Sequence, residues 1–351
     1  MAPNMTRFAA AIFWLAASCG AIGAPACAAD FYAGKIVKII LSTAPGGGYP
    51  DYAEILARHM PRHLPGKPTI IVQNMPGAGG VIAANYIYNK AERDGTVFGL
   101  VHRAAVSTLP LFDPKGVFYD TAKFGWIGSM NSEVSLCAVW HTVPVASFAD
   151  LKTRGMIVGG VGLGSDTDML PYIMNHLFGT RFKVVSGYGR ATDINLAMER
   201  GEVEGRCGWS VSTMRAESQS WLDEGKLRLL LQVSLTKHPS LPAVPLLMDY
   251  VTTERQRQIL ELQLAPSLMG RPFMTPPGVP ADRLALLRQA FLDTIADPAL
   301  QADAATMKLE INPVPGAAIE QLIAKLNALP KEVIAAAKDA MQKTEDIDVR
   351  R

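Results

Sequence analysis

The chain has 351 residues, of which 49% are hydrophobic and 19% charged, and this balance excludes an intrinsically disordered protein. Its formal net charge is only +2 and its basic residues form no block, so nothing indicates nucleic-acid binding. A chain of this length typically forms two domains.

The first thirty residues have the pattern of a secretory signal peptide. Arg7 supplies a positive start, Phe8–Ala17 is apolar and free of acids, and small residues occupy positions 26–28 at the spacing that a signal peptidase recognises. We therefore predict that residues 1–28 are removed before Ala29, with cleavage before Asp30 as the neighbouring choice, and that the mature protein is soluble in the periplasm. No later run of the chain reaches the roughly 18 apolar residues of a membrane span.

Two of the four cysteines, Cys19 and Cys27, lie in the predicted signal peptide. The residues before them lack the leucine that usually precedes a lipid attachment site, so we do not expect a lipoprotein anchor. Cys137 and Cys207 remain in the mature chain, in a compartment that permits a disulfide. Two buried free thiols are the alternative.

Strand, glycine-rich loop and helix alternate at the start of the mature chain. The segment "KIVKIILST" (35–43) is rich in β-branched residues and stops at glycines, which is typical of a strand. Apolar side chains then recur at helical spacing over 52–63. Further strands are predicted at 69–74, 96–102 and 124–130, and a further helix at 81–91. This alternation favours a parallel sheet with helical crossovers.

The same alternation begins again near residue 134. Strands are predicted at 134–141, 156–160, 183–186, 203–210 and 226–234, with helices at 147–150 (capped by Ser147), 169–178 and 194–201. Beyond Pro239 the predicted elements are helices, at 253–264, 281–296, 298–307 and 319–341. We therefore predict two α/β lobes, with lobe 1 formed by residues 29–131 and 232–351 and lobe 2 by residues 132–231.

Four glycine-rich loops connect predicted strands to predicted helices. In a parallel sheet such loops meet at the carboxyl edge, where ligands bind, and the free N–H groups of the next helix attract an anion. Two loops fall in each lobe, which would place helix N-termini on both sides of a shared cleft. Tight connections without a ligand are the alternative for any one loop. The loops are 46–48, 77–80, 162–165 and 187–189.

The common catalytic motifs are absent from the sequence. The loop at 46–48 lacks the lysine of a phosphate-binding loop, the glycines around residue 162 lack the dinucleotide-binding spacing, and no G-x-S-x-G is present. We interpret Ser165 as a helix cap. His59 and His63 have metal-ligand spacing, but no further ligand accompanies them, so we interpret them as a solvated helix end. We therefore expect no catalytic residue, cofactor or metal.

Several motifs, in order, resemble the substrate-binding receptors of tripartite tricarboxylate transporters, the TctC or Bug-type proteins. They include "VKIILSTAPGGG", "PTIIVQNMPGAGGVIAANYIY", "VGGVGLGSDTD", "SGYGRATDINLAMERGEVEG" and "PPGVPADRLALLRQAF", and the resemblance covers nearly all of residues 30–345. It implies a type II periplasmic-binding-protein fold, an α/β fold in which two lobes close like a flytrap on a small organic acid. It also implies a membrane permease as the partner that receives the acid. We expect a monomer.

The family's motifs place candidate ligand-binding residues at matching positions of this chain. In the family, the first two loops line the ligand cleft and the second-lobe loop meets the distal end of the ligand. The matching residues, with the tyrosines in or beside the glycine loops, are Pro45, Gly46, Gly47, Gly48, Tyr49, Asn74, Gly77, Ala78, Gly79, Gly162, Gly164, Ser165, Thr167 and Tyr188.

Three arginines stand where the chain departs from the family pattern. Arg103 replaces part of a small polar pair after the third strand, Arg190 follows the second-lobe turn, and Arg206 lies in the strand "VEGRCGWS". Arginine binds a carboxylate through two parallel hydrogen bonds, so we predict that these three residues contact the ligand. Surface or interlobe ion pairs are the alternative for each.

The resulting hypothesis is a periplasmic solute receptor that binds a carboxylate and has no catalytic activity. One alternative is a sensor that presents its closed form to a membrane kinase. Another is a secreted enzyme on the same scaffold, although the sequence offers no nucleophile–base pair for it.

Overall fold

The computed structural model describes residues 31–45, 48–162, 165–189 and 191–344, together with Val349. The predicted signal peptide lies outside the described residues. Within them the chain forms two β-sheets, which we call sheet 1 and sheet 2, with helices packed against both.

The strands and helices of the described residues follow the chain in this order. The strands are β1 (Ile36–Leu41), β2 (Thr69–Asn74), β3 (Val97–Leu100), β4 (Gly125–Ser129), β5 (Ser135–Trp140), β6 (Met156–Gly160), β7 (Phe182–Ser186), β8 (Gly205–Ser210), β9 (Leu227–Val233), β10 (Pro272–Thr275) and β11 (Val314–Pro315). The helices are α1 (Gly48–His59), α2 (Val81–Asn89), α3 (Leu109–Phe112), α4 (Asp150–Thr153), α5 (Asp166–Phe178), α6 (Ala191–Glu199), α7 (Val211–Asp223), α8 (Glu254–Leu268), α9 (Ala281–Ala296), α10 (Pro298–Thr306), α11 (Gly316–Asn327) and α12 (Lys331–Ala340).

Sheet 1 has the strand order β11-β4-β10-β3-β1-β2. Strand β1 pairs in parallel with β2 and β3 and so lies inside the sheet, next to the edge strand β2, with Val37 and Ile39 fully buried. Strand β10 returns from late in the chain and pairs antiparallel with β3 and β4. The loops after β1, β2 and β3 therefore leave the same edge of the sheet.

Sheet 2 has the order β7-β6-β8-β5-β9. Strands β6 and β7 are parallel, as are β6 and β8, whereas β5 runs antiparallel to β8 and β9. The chain enters this sheet from β4 through residues 130–134, and it leaves after β9.

The predicted parallel pairing is present in both sheets, but each sheet also contains antiparallel strands. Strand β10 was missed in the sequence, where the region after Pro239 reads as loops and helices. Its segment "PFMT" is too short to show an alternating pattern, and prolines bound it on both sides. Helix α7 was missed as well, since it carries no clear apolar stripe. The short helix near Ser147 begins later than predicted, at Asp150.

Helix α8 connects elements of the two sheets. It starts with a capping box, in which Thr253 Oγ1 accepts from Gln256 N at 3.2 Å and Gln256 Oε1 accepts from Thr253 N at 3.3 Å. The Gln256 side-chain amide also donates to the Leu177 carbonyl at the end of α5 (2.7 Å). At its other end the Ser267 carbonyl accepts from Glu133 N (2.8 Å), in the segment that joins the sheets. The C-terminal segment contacts α5, because Asn175 Nδ2 of that helix donates to Thr344 Oγ1 at 3.1 Å.

A disulfide joins Cys137 to Cys207, across the antiparallel strands β5 and β8. Both cysteines are fully buried. The alternative of two free thiols is therefore not what the structure has. The bond closes a chain segment with a sequence separation of 70, which contains most of sheet 2.

No helix in the described part of the chain is both long enough and apolar enough to cross a membrane.

Candidate ligand-binding site

A cavity of about 650 Å³ lies where the loop after β3, the start of α5 and the second half of α8 meet. Its wall therefore contains residues from the sheet 1 side, from the sheet 2 side and from the helix that connects them. The polar part includes Arg103, Ser165, Asp166 and Gln263. The apolar part includes Leu109, Phe112 and Met169. A cavity of this size and mixed lining suits a small organic molecule.

The loop after β3 is held against the first turn of α1. The backbone N–H of Arg103 donates to Tyr49 Oη at 3.0 Å, and the rings of Tyr49 and His102 stack with centroids 5.5 Å apart. The backbone N–H of His102 donates to Ser42 Oγ at 2.9 Å. These contacts fix the position from which the Arg103 side chain reaches toward the cavity.

Glu133 lies between two arginines that come from distant parts of the chain. One of its carboxylate oxygens accepts a short hydrogen bond from Arg103 Nη1, and the other accepts from Arg271 Nη1 at 2.9 Å. All three side chains are largely buried, at 17%, 15% and 13% exposure for Arg103, Glu133 and Arg271. The Arg271 guanidinium also lies 4.5 Å from the centre of the Tyr49 ring, at cation–π distance. The residue pair Arg103–Glu133 thus ties the sheet 1 loop to the segment between the sheets.

Burial and charge set the protonation states in this cluster. Burial alone would raise the pKa of Glu133, but the charges of Arg103 and Arg271 outweigh it and hold that pKa at about 2. Burial, with the repulsion of the same two arginines, lowers the pKa of His102 to about 4. Burial is opposed at Arg103 by Glu133 and Asp166, which raise its pKa. At neutral pH the cluster therefore contains ionised Glu133, two guanidinium groups and a neutral imidazole.

Asp166 faces Arg103 from the sheet 2 side. Its Oδ2 accepts from Arg103 Nη2 at 3.4 Å, and its side chain is 43% exposed. Asp166 occupies the first turn of α5, where the helix dipole stabilises a negative charge. Gly208 of β8 has φ +68° and lies so close to the Asp166 backbone that an added Cβ would come within 2.5 Å of it. Only glycine at that position lets the start of α5 approach the sheet this closely.

The hydroxyl groups of the second-lobe loop bond to their own loop. Ser165 Oγ donates to the Gly162 carbonyl at 2.7 Å, and Thr167 Oγ1 accepts from Val161 N at 3.1 Å. Thr167 is buried, at 4% exposure, whereas Ser165 lines the cavity. Ser165 is the N-cap residue of α5 by position, but its side chain makes no capping hydrogen bond to the helix. Of these predicted residues, Ser165 is placed to meet a ligand in the cavity.

The described residues of the loops after β1 and β2 are not among those that line the cavity. Asn74 Nδ2 donates to the Thr43 carbonyl at 2.8 Å, which ties the end of β2 to the end of β1. Gly77 and Gly79 have positive φ, 137° and 62°, and Ala78 between them also has φ 45°. Predicted residues of this group that the structure describes are Pro45, Gly48, Tyr49, Asn74, Gly77, Ala78 and Gly79.

Arg206 is not at the cavity, so the structure does not support its predicted contact with a ligand there. Its side chain is 3% exposed, and Nη1 donates to Asn195 Oδ1 at 2.8 Å and pairs with Glu217 at 3.5 Å. Its guanidinium also lies 4.5 Å from the centre of the Trp209 ring. Burial lowers its pKa to about 10, against the opposing charge of Glu217. Arg206 therefore joins β8 to α6 and α7, which is an ion-pair role within the sheet 2 side.

The remaining predicted residues divide into two groups. Tyr188 is half-buried against the apolar side chains of the sheet 2 side, and its backbone N–H donates to the Gly160 carbonyl at 3.1 Å. Gly46, Gly47, Gly164 and Arg190 lie outside the described residues.

Asp166, Glu133, Arg271 and Gln263 were missed by the sequence analysis. Glu133 and Arg271 are isolated charges in short connecting segments, and no local motif marks them. Asp166 directly follows the glycine loop at 162–165, and its place at a helix start is the available signal. Arg103 is the predicted arginine that the structure places in the cavity wall.

The histidines at the end of α1 are not a solvated helix end. His59 is buried at 3% exposure, and its Nε2 lies 2.8 Å from Asp303 Oδ2. His63 Nε2 lies 2.9 Å from Asp297 Oδ2. They join α1 to the α10 region, and no group of three or more possible metal-binding side chains occurs in the ranges that the structure describes.

Comparison with known proteins identifies one family. Residues 53–338 match the model of the tripartite tricarboxylate transporter family receptor. The protein BugT of Bordetella pertussis is 42% identical over 82 residues, and this match spans 23% of the chain and about a quarter (24%) of that relative's length. A TctC solute-binding protein from Polaromonas superposes with a TM-score of 0.69 at 21% identity, over 86% of this chain and 98% of that one. MatC from Rhodopseudomonas palustris, solved with bound malate, superposes with a TM-score of 0.55 at 18% identity, over 88% of this chain and 99% of that one.

These structural similarities confirm the predicted fold class. The α/β arrangement with two sheets is that of two-lobe solute-binding proteins.

Proposed function

Because the chain belongs to the tripartite tricarboxylate transporter family of receptors, we propose that it binds a small organic acid in the cavity between its sheets and delivers it to a membrane permease. Members of this family are receptors and not enzymes, and this chain is a receptor as well. The solved relative with bound malate supports an acid as the ligand.

The observation that carries the proposal is Arg103 in the wall of the 650 Å³ cavity. Its guanidinium is largely buried, and its contact with Asp166 is long, at 3.4 Å. A carboxylate that enters the cavity can accept from Arg103 Nη2, and the low dielectric of a closed site strengthens such a charge-assisted hydrogen bond. Neutral His102 and the apolar side chains exclude water around it.

The two-lobe arrangement gives the loaded receptor a different conformation from the empty one. We propose that residues 29–131 and 232–351 form lobe 1 and residues 132–231 form lobe 2. Arg103 belongs to one and Asp166 to the other, so a ligand between them favours the closed arrangement. A ligand shifts this equilibrium only by its preference for the closed form, which the permease then recognises.

The proposal places the mature protein in the periplasm, where a receptor of this kind meets its ligand. A signal peptide in residues 1–28 would direct its export and then be removed, and the disulfide between Cys137 and Cys207 suits an oxidising compartment. The N-terminal residue of the exported protein, measured by intact mass, tests the cleavage before Ala29.

A thermal-shift screen tests the binding function. The mature protein, unfolded and refolded to remove any carried ligand, is screened against mono- and dicarboxylates, amino acids and neutral amides. A binding compound raises the melting temperature, and calorimetry then gives its Kd.

Two conservative variants show whether the cavity is the site. Arg103→Lys keeps the positive charge but loses the two parallel hydrogen bonds that a guanidinium group can donate, so it should weaken binding by about tenfold or more. Arg200→Lys, at an exposed site, is the matched control and should bind like the wild type. If Arg103→Lys bound the ligand as tightly as the wild type, the binding site would have to lie outside this cavity. A folded protein that binds no small acid would refute the receptor proposal.

A further inference from the structure

The charged groups at the cavity balance one another. Arg103 and Arg271 supply two positive charges, while Glu133 and Asp166 supply two negative ones. Glu133 is committed to both arginines, with one oxygen on each. Of these four groups, Arg103 and Asp166 line the cavity itself. Among the residues that the structure describes, a ligand in the cavity therefore meets one cation and one anion side by side.

Asp166 is the less firmly held of this pair. Its carboxylate is 43% exposed, and its hydrogen bond from Arg103 Nη2 is at the long limit of 3.4 Å. A ligand carboxylate that bonds to Arg103 must come close to the Asp166 carboxylate or displace it. Two carboxylates that both lie within reach of one guanidinium group repel each other unless a further positive group lies between them. A dicarboxylate would add a further negative charge without adding a positive group that could pair with it.

We infer that the ligand is a zwitterion, with a carboxylate held by Arg103 and an adjacent amino group held by Asp166. An ammonium group restores the charge balance that the bound carboxylate disturbs, since it donates directly to Asp166. The apolar wall of Leu109, Phe112 and Met169 then receives the rest of the molecule. This inference rests on the proposed receptor function and names the chemical class of its ligand. It makes Asp166 the residue that determines specificity.

Matched pairs of acids test the inference by calorimetry. The probes are phenylalanine with 3-phenylpropanoate, leucine with 4-methylpentanoate, and glutamate with glutarate, so that each pair compares an amino acid with an acid that lacks the amino group. The wild type should bind the preferred amino acid about tenfold or more tightly than its partner acid, the ratio expected when one charge-assisted hydrogen bond is lost.

Asp166→Asn should abolish this ratio, because the amide cannot neutralise an ammonium group. Its affinity for the plain acids should stay the same or rise. Asp223→Asn, which removes an exposed carboxylate at the end of α7, is the matched control and should leave the ratio unchanged.

Three results would contradict the inference in distinguishable ways. Equal binding of an amino acid and its partner acid would refute the zwitterion and leave the receptor function intact. A ratio that survives Asp166→Asn would refute the role of Asp166. A folded wild type that binds none of the six compounds but binds another small acid in the thermal-shift screen would refute the inference and leave the carboxylate receptor intact.

Discussion

Replacing Glu133 by glutamine should destabilise the protein strongly at neutral pH. The guanidinium groups of Arg103 and Arg271 would then lose the carboxylate that they share, and Arg103 would keep its long contact with Asp166. Glutamine is close in shape to a protonated glutamate, so the cost is the free energy that separates the two protonation states. The fall of the Glu133 pKa from its ordinary 4.5 to about 2 corresponds to about 3 kcal/mol.

The dependence on pH gives the sharper test. A carboxylate whose pKa is lowered on folding stabilises the protein above its unfolded-state pKa, and this stabilisation is lost as the pH falls through the folded-state value. The difference between wild type and Glu133→Gln should therefore be about 3 kcal/mol at pH 7 and shrink to about 1 kcal/mol at pH 3. Below pH 2 the two proteins should be equally stable.

Urea denaturation followed by circular dichroism measures both differences. Glu202→Gln, which removes an exposed carboxylate near Arg200, is the control and should change stability by less than about 0.5 kcal/mol. A loss below about 1 kcal/mol at pH 7 would refute the reasoning. So would a loss that stays constant between pH 7 and pH 3, since it could not come from the charge of Glu133.

Four further changes test the remaining features. Reducing the Cys137–Cys207 disulfide should lower the free energy of unfolding by about 4 kcal/mol, because the bond closes a long loop. Denaturation with and without dithiothreitol measures the difference, and an unchanged midpoint would contradict the prediction. Arg206→Met should lower the free energy of unfolding but leave the Kd of a bound acid unchanged. A raised Kd at unchanged stability would indicate that Arg206 contacts the ligand. The imidazole resonances of His102 should titrate near pH 4, and titration near 6.5 would contradict its burial between two arginines. Gly208→Ala should destabilise the protein by about 1–2 kcal/mol and weaken ligand binding, because the added Cβ would displace the start of α5. Wild-type stability together with a wild-type Kd would contradict the close contact between Gly208 and α5.

The sequence determined the elements that depend on local pattern. Strand β2 has the predicted bounds, and β1, β3 and β4 lie within the predicted ranges, because short runs rich in β-branched and aromatic residues favour strands. The glycines at 77 and 79 adopt positive φ, as a tight loop requires. The order of motifs then sufficed to identify the family.

The tertiary structure alone decided which charged residues meet. Three arginines looked equivalent in sequence, yet Arg103 lies at the cavity and Arg206 is buried between β8, α6 and α7. Strand β8 is buried on both faces, so its pattern carries no information about the direction of each side chain. The cluster of Arg103, Glu133 and Arg271 joins three segments, one of which enters with the unpredicted strand β10. Ion pairs between such distant segments form only where packing brings the segments together, and for that reason the contacts of Glu133 and Arg271 could not be found from the sequence.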